Sequence, residues 1–290
     1  MTSRLKDRVA IVTGASRGGG RGIALALGTE GATVYVTGRS LRGSPTRPDM
    51  PESTIDETAE RVTALGGVGI AVRCDHTVDS DVASLFERVG SEQGRLDLLV
   101  NNVWGGYERY DDAGFDAPFW EQPLWRWEKM FTAGLRAHFT ASRLAAPFMI
   151  SKGHGLIVNT IAWDRGKYLG SVPYTVAKTG IASLAYGMAL ELRPHGVSAL
   201  SLAPGWMRTE EIFLRFATDE QHWHEVPALA STESTGYIGR AVAALVLDPD
   251  VIRHTGQILM VGDLADEYGF TDVDGRLVPP FQIPDEYLKD

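Results

Sequence analysis

Short apolar runs alternate with longer segments in which apolar residues recur at helical spacing, and this alternation extends along most of the chain. The apolar runs predict β-strands, and the segments between them predict α-helices. Many of the runs are apolar nearly throughout, which is typical of strands that helices cover on both faces. We therefore predict an α/β fold with a single doubly wound parallel sheet of about seven strands and helices on both faces.

One domain, residues 1–290, contains all of these elements. The predicted strands are 8–13, 32–37, 68–73, 96–100, 155–160, 197–203 and 256–261, and the predicted helices are 21–30, 53–65, 79–92, 121–151, 173–193 and 234–247. Residues 206–233 are a long insertion between a strand and a helix, which we interpret as a helical lid over the substrate. Residues 264–290 form a C-terminal extension, which we expect to pack on a neighbouring subunit.

The first strand ends in a glycine-rich turn, and a helical pattern follows at once. Glycine lets the backbone turn tightly and approach a phosphate without a Cβ in the way. The helix after the turn offers free N–H groups and the positive end of its dipole to a pyrophosphate. A glycine-rich turn can be a mere tight connection, but the order of strand, turn and helix favours a dinucleotide site. The predicted phosphate-binding residues are Gly14, Ser16, Arg17, Gly18, Gly19 and Gly20.

The end of the second strand indicates which dinucleotide binds. An NAD site usually has an acidic residue there for the ribose 2′-hydroxyl, whereas this chain has Gly38 followed by Arg39. A guanidinium group suits the 2′-phosphate of NADP, and Arg17 in the glycine turn can close on the same phosphate. The alternative is that both arginines are solvated surface residues. We predict that NADP(H) is preferred over NAD(H).

Charge and composition exclude several classes of protein. A net charge of −9 argues against nucleic acid or an anionic membrane as the partner. No apolar run is long enough to span a bilayer, and the N-terminus lacks the apolar core of a signal peptide. The single Cys74 excludes an intrachain disulfide and fits a reducing compartment, so we expect a cytoplasmic protein. His222 and His224 lack the ligand set of a metal site, so no metal is predicted.

Tyr174 and Lys178 are the candidate catalytic residues. They lie four positions apart in a predicted helix, so their side chains share one face. There the Lys178 ammonium favours the ionised form of the Tyr174 phenol, which predicts a lowered pKa for Tyr174. A tyrosine with a lowered pKa can exchange a proton with a substrate oxygen near neutral pH.

The glycine spacing and the Tyr174-x-x-x-Lys178 motif resemble the short-chain dehydrogenase/reductase family over about residues 5–262. The resemblance implies a Rossmann fold and a hydride-transferring enzyme that works as a homodimer or homotetramer. The cofactor-binding residues that it implies are Asp75, Asn102, Tyr174, Lys178, Pro204, Gly205 and Thr209. Within the family, the stretches 134–136, 172–174 and 272–276 are similar to those of the dehydrogenase/reductase member-1-like group.

Two positions depart from the family pattern. Gly134 stands where the resemblance places a catalytic asparagine, although the member-1-like group also has glycine there. Ala162 stands where a serine normally hydrogen-bonds the substrate carbonyl. Losing one such donor costs roughly 10²–10³ in rate where nothing replaces it. The candidate replacements are Thr160, which lies deeper in its strand, and the loop residues Trp163, Asp164 and Tyr168.

We predict an NADP(H)-dependent oxidoreductase that transfers a hydride between nicotinamide and a bulky carbonyl or alcohol substrate, with Tyr174 as the acid/base. The bulk of the substrate follows from five tryptophans in segments expected around the cleft, which would equally suit packing of the lid. These tryptophans are Trp104, Trp120, Trp163, Trp206 and Trp223. The alternative is a non-catalytic NADP(H)-binding regulatory protein, with Ala162 and Gly134 as marks of a degenerate site. A third hypothesis is acid/base chemistry by Asp164 or Tyr174 without hydride transfer.

Overall fold

The computed structural model describes residues 3–107 and 114–283. The strands within these residues are β1 (Val9–Thr13), β2 (Thr33–Gly38), β3 (Val68–Arg73), β4 (Leu98–Asn101), β5 (Gly155–Thr160), β6 (Val197–Ala203), β7 (Met207–Arg208), β8 (Glu233–Ser234) and β9 (Ile258–Met260). The helices are α1 (Gly18–Thr29), α2 (Ile55–Ala64), α3 (Asp79–Gln93), α4 (Leu124–Met130), α5 (Ala137–Lys152), α6 (Val172–Leu192), α7 (Glu210–Arg215), α8 (Thr235–Leu247) and α9 (Val261–Tyr268). A π-helical segment, Phe131–Arg136, joins α4 to α5.

The main sheet has seven parallel strands in the order β3-β2-β1-β4-β5-β6-β9. The chain order reverses beside β1, where Ile11 lies between Tyr35 of β2 and Leu99 of β4. Val12 belongs to the apolar core on one face of the sheet and Ile11 to the core on the other face. The predicted doubly wound fold is therefore confirmed. Its reversal point opens a crevice at the carboxyl ends of β1 and β4, where such folds bind ligands.

Most predicted boundaries lie within two residues of those in the structure, and three predicted elements need correction. Helix α1 begins at Gly18, which lies within the predicted turn, instead of at residue 21. The predicted helix 121–151 consists of α4, the π-helical segment and α5. The predicted last strand, 256–261, is reduced to β9 because Val261 begins α9, a helix that we did not predict. The buried residues of α9 recur every three or four positions, and this pattern is helical.

The described part of the C-terminal extension packs on its own chain. The backbone N–H of Ser234 donates to Asp272 Oδ2 at 2.8 Å, and the Tyr237 hydroxyl donates to the backbone oxygen of Val278 at 3.1 Å. We did not predict these internal contacts. Packing of the extension on a neighbouring subunit stays a prediction, and residues 284–290 lie outside the described residues.

The insertion 206–233 begins and ends at one short pair of strands. β7 pairs with β8 in parallel, and α7 with two single-turn 3₁₀ helices lies between them. Across residues 3–107 and 114–283, no helix is both long and apolar enough to cross a membrane. The same residues contain no group of three or more His, Cys, Asp or Glu side chains that could hold a metal ion.

Candidate functional site

The glycine turn lies at the carboxyl end of β1, beside the reversal point of the sheet. Gly14 has a φ of +64° and Gly18 a φ of +58°, in the left-handed region that favours glycine. A Cβ on Gly20 would lie 2.4 Å from the backbone oxygen of Gly14 and 2.5 Å from Nδ2 of Asn102. The turn therefore packs too closely against its neighbours to accept a side chain at this position.

The N-terminus of α1 already binds an internal anion. The backbone N–H of Gly18 donates to Glu210 Oε2 at 2.7 Å, and Nη1 of Arg21 lies 3.3 Å from Glu210 Oε1. A carboxylate at this position has the charge and acceptor geometry that a phosphate would also offer. Thr209, just before Glu210, places its methyl group 3.5 Å from where a Cβ on Gly18 would lie. The donors here therefore fit a dinucleotide pyrophosphate.

Guanidinium groups converge beside this turn, at the end of β2. Burial lowers the pKa of Arg17, and the positive charges of Arg47 and Arg39 lower it further. Nη1 of Arg39 lies 3.8 Å from Oδ2 of Asp75. Arg47, to which the sequence analysis gave no role, is paired with Glu211 at 2.5 Å. Guanidinium groups that lie this close together can donate charge-assisted hydrogen bonds to an anion such as a 2′-phosphate.

Asp75 and Asn102 use their side chains within the protein. Asp75 Oδ1 accepts hydrogen bonds from the backbone N–H and the hydroxyl of Thr77, at 3.0 and 2.7 Å. Nδ2 of Asn102 donates to the backbone oxygens of Thr13 and Gly14, at 3.2 Å each. These contacts fix the turn after β3 and join β4 to the glycine turn, so both residues shape the crevice.

Pro204 and Gly205 follow β6 and lie next to an acidic side chain that the sequence analysis missed. Glu233 is buried, with 1% of its surface exposed, and accepts a hydrogen bond from the backbone of Gly205. Burial raises the pKa of Glu233 to about 8. The Glu233 carboxyl group is therefore mostly protonated and uncharged at pH 7.

Helix α6 brings Tyr174 and Lys178 to the crevice on one face, as predicted. Nζ of Lys178 lies 3.8 Å from the centroid of the Trp104 ring and 5.6 Å from that of the Tyr174 ring. The Trp104 ring meets Tyr174 edge-on, with centroids 5.5 Å apart. Burial lowers the pKa of Lys178 to about 7. The Lys178 ammonium group thus makes a cation–π contact with the Trp104 ring.

The pKa of Tyr174 moves in the direction opposite to the one predicted. Burial raises it well above 10. The Tyr107 hydroxyl donates a hydrogen bond to the Tyr174 hydroxyl over 3.0 Å. The prediction that Lys178 lowers the pKa of Tyr174 is wrong for this arrangement, because burial of the phenol dominates. Tyr107 is a further residue that the sequence analysis missed.

Two of the predicted replacements for the missing serine, Thr160 and Asp164, have polar partners other than Tyr174. The Thr160 hydroxyl donates to Oδ1 of Asn102 at 3.4 Å. Oδ2 of Asp164 accepts a hydrogen bond from the backbone N–H of Ile283 at 2.7 Å and lies 3.4 Å from Nζ of Lys167. Ala162 has no polar side-chain atom. The described hydroxyl group that contacts Tyr174 is that of Tyr107.

The Trp104 ring lies against Gly134, in the space that a side chain at position 134 would need. Gly134 lies in the π-helical segment, and a Cβ at this position would come within 2.7 Å of Cζ3 of Trp104. The indole ring thus fills the place of a side chain at position 134. Segments of π-helix are frequent at functional sites, where they reposition side chains. The absence of a side chain at position 134 therefore leaves the room that the Trp104 ring occupies.

Gly134→Asn is expected to lower the free energy of unfolding by about 1–3 kcal/mol, the usual cost of overpacking. The reason is the collision with Trp104, so the same substitution should cost less in a Trp104→Gly background. Urea unfolding of the two single variants and the double variant measures this coupling. The matched control is Gly187→Asn on α6, where a Cβ meets nothing within 4 Å. Equal stability of the Gly134 and Gly187 variants would contradict the collision.

Comparison with known proteins agrees with this geometry. The family model described as "short chain dehydrogenase" matches residues 8–214. The chain is 41% identical over 287 residues to dehydrogenase/reductase SDR family member 1 from Homo sapiens, covering 97% of this chain and 88% of that protein. It is 30% identical over 210 residues to 7alpha-hydroxysteroid dehydrogenase from Escherichia coli, covering 72% and 74%. A short chain dehydrogenase structure from Mycobacterium thermoresistibile shares the fold, with a TM-score of 0.79, 24% identity and coverage of 99% and 100%.

Proposed function

Since the chain belongs to the short-chain dehydrogenase family, we propose that it is an NADP(H)-dependent oxidoreductase acting on a bulky carbonyl or alcohol. The family's relatives are oxidoreductases that use nicotinamide cofactors. The observation that carries the proposal is the placement of Tyr174 and Lys178 on one face of α6, at the crevice that the glycine turn borders.

Tyr174 is the acid of the reduction in this proposal. Its raised pKa keeps the phenol protonated at neutral pH, so it can donate a proton to the substrate oxygen. When bound, the nicotinamide supplies the hydride for reduction or accepts it in the reverse direction. In oxidation, the proton returns from the substrate hydroxyl to Tyr174. Lys178 holds the ribose of the nicotinamide in this proposal, and its ammonium group lies over the Trp104 ring, with Nζ 3.8 Å from the ring centroid.

The cofactor is held by the glycine turn, the converging arginines and the segment after β6. The residues proposed to contact it are Gly14, Ser16, Arg17, Gly18, Gly19, Gly20, Arg39, Asp75, Asn102, Tyr174, Lys178, Pro204, Gly205 and Thr209. The internal anion Glu210 supports the pyrophosphate position, and it must leave the Gly18 N–H group when a phosphate takes that place.

The substrate side of the crevice is aromatic. The rings of Trp104, Tyr107 and Phe115 surround Tyr174, with centroids 5.5, 6.2 and 5.3 Å from its own. Such a wall suits a flat, apolar carbonyl compound. The Escherichia coli relative is named for a hydroxysteroid, which is a bulky alcohol. We further propose that residues 206–233 close over this substrate as a lid.

The oligomeric state of the protein and its location in the cell are part of the same proposal. Phe131, Leu135 and Phe139 line a groove beside Gly180 and Leu184 of α6, and Phe139 is exposed. An exposed apolar groove of this kind suits the interface of a homodimer or homotetramer. The single Cys74 is buried, which is compatible with a cytoplasmic protein.

Oxidation of NADPH, followed at 340 nm with a panel of bulky ketones, aldehydes and quinones, tests the proposal. We expect turnover with at least one member of the panel and a lower KM for NADPH than for NADH. Turnover with NADH alone would contradict the cofactor preference. Binding of NADPH without turnover of any compound would favour the non-catalytic alternative. No contact in the described residues specifically supports that alternative.

Arg39→Ala is expected to raise the KM for NADPH about tenfold to a hundredfold and to leave the KM for NADH nearly unchanged. The reason is the loss of a charge-assisted hydrogen bond to the 2′-phosphate, worth about 1.5–3 kcal/mol. The matched control is Arg42→Ala, because Arg42 pairs with Glu60 on the protein surface. Equal losses for NADPH and NADH would show that Arg39 does not read the 2′-phosphate.

A further inference from the structure

A pair of hydroxyl groups lies at the centre of the candidate site. The oxygens of Tyr107 and Tyr174 are 3.0 Å apart, although the two residues are separated by 67 positions in the sequence. The two rings lie at 33° to each other with centroids 6.2 Å apart. Tyr107 also meets the Trp104 ring edge-on at 6.2 Å. Tyr107 is 51% exposed, so a molecule entering the crevice can reach its hydroxyl group.

The local sequence explains how Tyr107 reaches this place. Gly105 and Gly106 separate it from Trp104, just after β4. A Cβ on Gly105 would lie 2.8 Å from Cβ of Ala133, and a Cβ on Gly106 would lie 2.7 Å from the Trp104 ring. The chain therefore passes between Trp104 and the π-helical segment where side chains do not fit. This close passage returns the backbone to the crevice and directs Tyr107 towards Tyr174.

Two converging hydroxyl groups match the needs of a carbonyl oxygen. A carbonyl oxygen has two lone pairs and accepts two hydrogen bonds. With donors 3.0 Å apart, one oxygen can lie within hydrogen-bonding distance of both. A donor aimed at the oxygen is most valuable where negative charge develops during the reaction. Position 162 offers no such donor, and Thr160 and Asp164 have their partners elsewhere.

We propose that Tyr107 is a second catalytic residue, which hydrogen-bonds the substrate oxygen beside Tyr174 and replaces the donor missing at Ala162. The inference rests on the proposed oxidoreductase function. In reduction, the substrate carbon accepts a hydride, the π electrons of the carbonyl move to oxygen, and the oxygen takes the proton of Tyr174. Tyr107 keeps its own proton and stabilises the developing charge. The products are the alcohol, the oxidised nicotinamide and the Tyr174 phenolate, which solvent reprotonates.

Tyr107→Phe is the first variant to measure. We expect kcat for NADPH-dependent reduction to fall about 10²–10³-fold, as for the loss of one oxyanion-type donor, with the Kd for NADPH unchanged. The double variant Tyr107→Phe with Ala162→Ser should recover at least tenfold of this loss, because a serine donor returns. The matched control is Tyr186→Phe, an exposed tyrosine farther along α6, with wild-type kcat expected.

A second measurement detects the contact between Tyr107 and Tyr174 and does not depend on turnover. In protein labelled with ¹³C at the ζ carbon of tyrosine, the Tyr174 resonance should move in Tyr107→Phe and stay in place in Tyr186→Phe. An unchanged Tyr174 resonance, or an unchanged kcat in Tyr107→Phe, would overturn the role of Tyr107. Failure of the proposed function looks different: the wild-type protein would then show no Tyr174-dependent turnover with either nicotinamide cofactor.

Discussion

Replacing Tyr174 by phenylalanine is expected to lower kcat about 10²–10⁴-fold, the usual contribution of a positioned general acid. Phenylalanine keeps the ring and its contacts with Trp104 and Phe115 but removes the proton that the substrate oxygen receives. The measurement is steady-state oxidation of NADPH with the best compound of the panel. The effect should fall on kcat, while the Kd for NADPH, measured by fluorescence titration, stays near the wild-type value.

Two controls separate the chemistry at Tyr174 from damage to the site. Tyr186→Phe changes another tyrosine of α6 and should leave kcat unchanged. Lys178→Met should weaken NADPH binding and also lower kcat, because we assign Lys178 to the binding of the ribose that positions the nicotinamide. Wild-type turnover in Tyr174→Phe would contradict the assignment of Tyr174 as the acid. Loss of NADPH binding in Tyr174→Phe would mean that the substitution disturbs the cofactor site instead.

Replacing Arg208 by methionine is expected to lower the free energy of unfolding by about 3–5 kcal/mol, the cost of breaking a buried ion pair from one side. Both side chains of the pair are fully buried, and Nη2 of Arg208 lies 3.6 Å from Oδ2 of Asp272. The same guanidinium donates to the backbone oxygen of Thr232 at 2.7 Å and stacks 3.7 Å from the centroid of the Trp223 ring. Urea unfolding measures the loss.

The double variant Arg208→Met with Asp272→Asn should lose less stability than the two single variants together, because neither charge is then left unpaired. Arg42→Met, which removes an arginine paired at the surface with Glu60, should cost much less. Additive losses would contradict the coupling across the buried pair. Arg208→Met should also bind NADPH more weakly, because Arg208 directly precedes Thr209, which we propose contacts the cofactor.

The strands and the glycine turn could be predicted because their signals are local. A run such as β1 or β6 is buried on both faces, and its composition alone reports this. The glycines of the turn and the i, i+4 spacing of Tyr174 and Lys178 are likewise properties of short stretches. The start of α9 was missed because apolar residues close to a strand end fit either element, and packing decided between them.

The sequence alone determined the doubly wound fold, the family, the position of the glycine turn, and Tyr174 and Lys178 among the residues that we assign to the site. Tertiary structure decided what surrounds them. Trp104 meets Gly134, Tyr107 meets Tyr174, and Arg208 meets Asp272, in each case across at least 30 positions of the chain. The pKa of Tyr174 rises instead of falling because burial disfavours the phenolate, and burial is not visible in the spacing to Lys178.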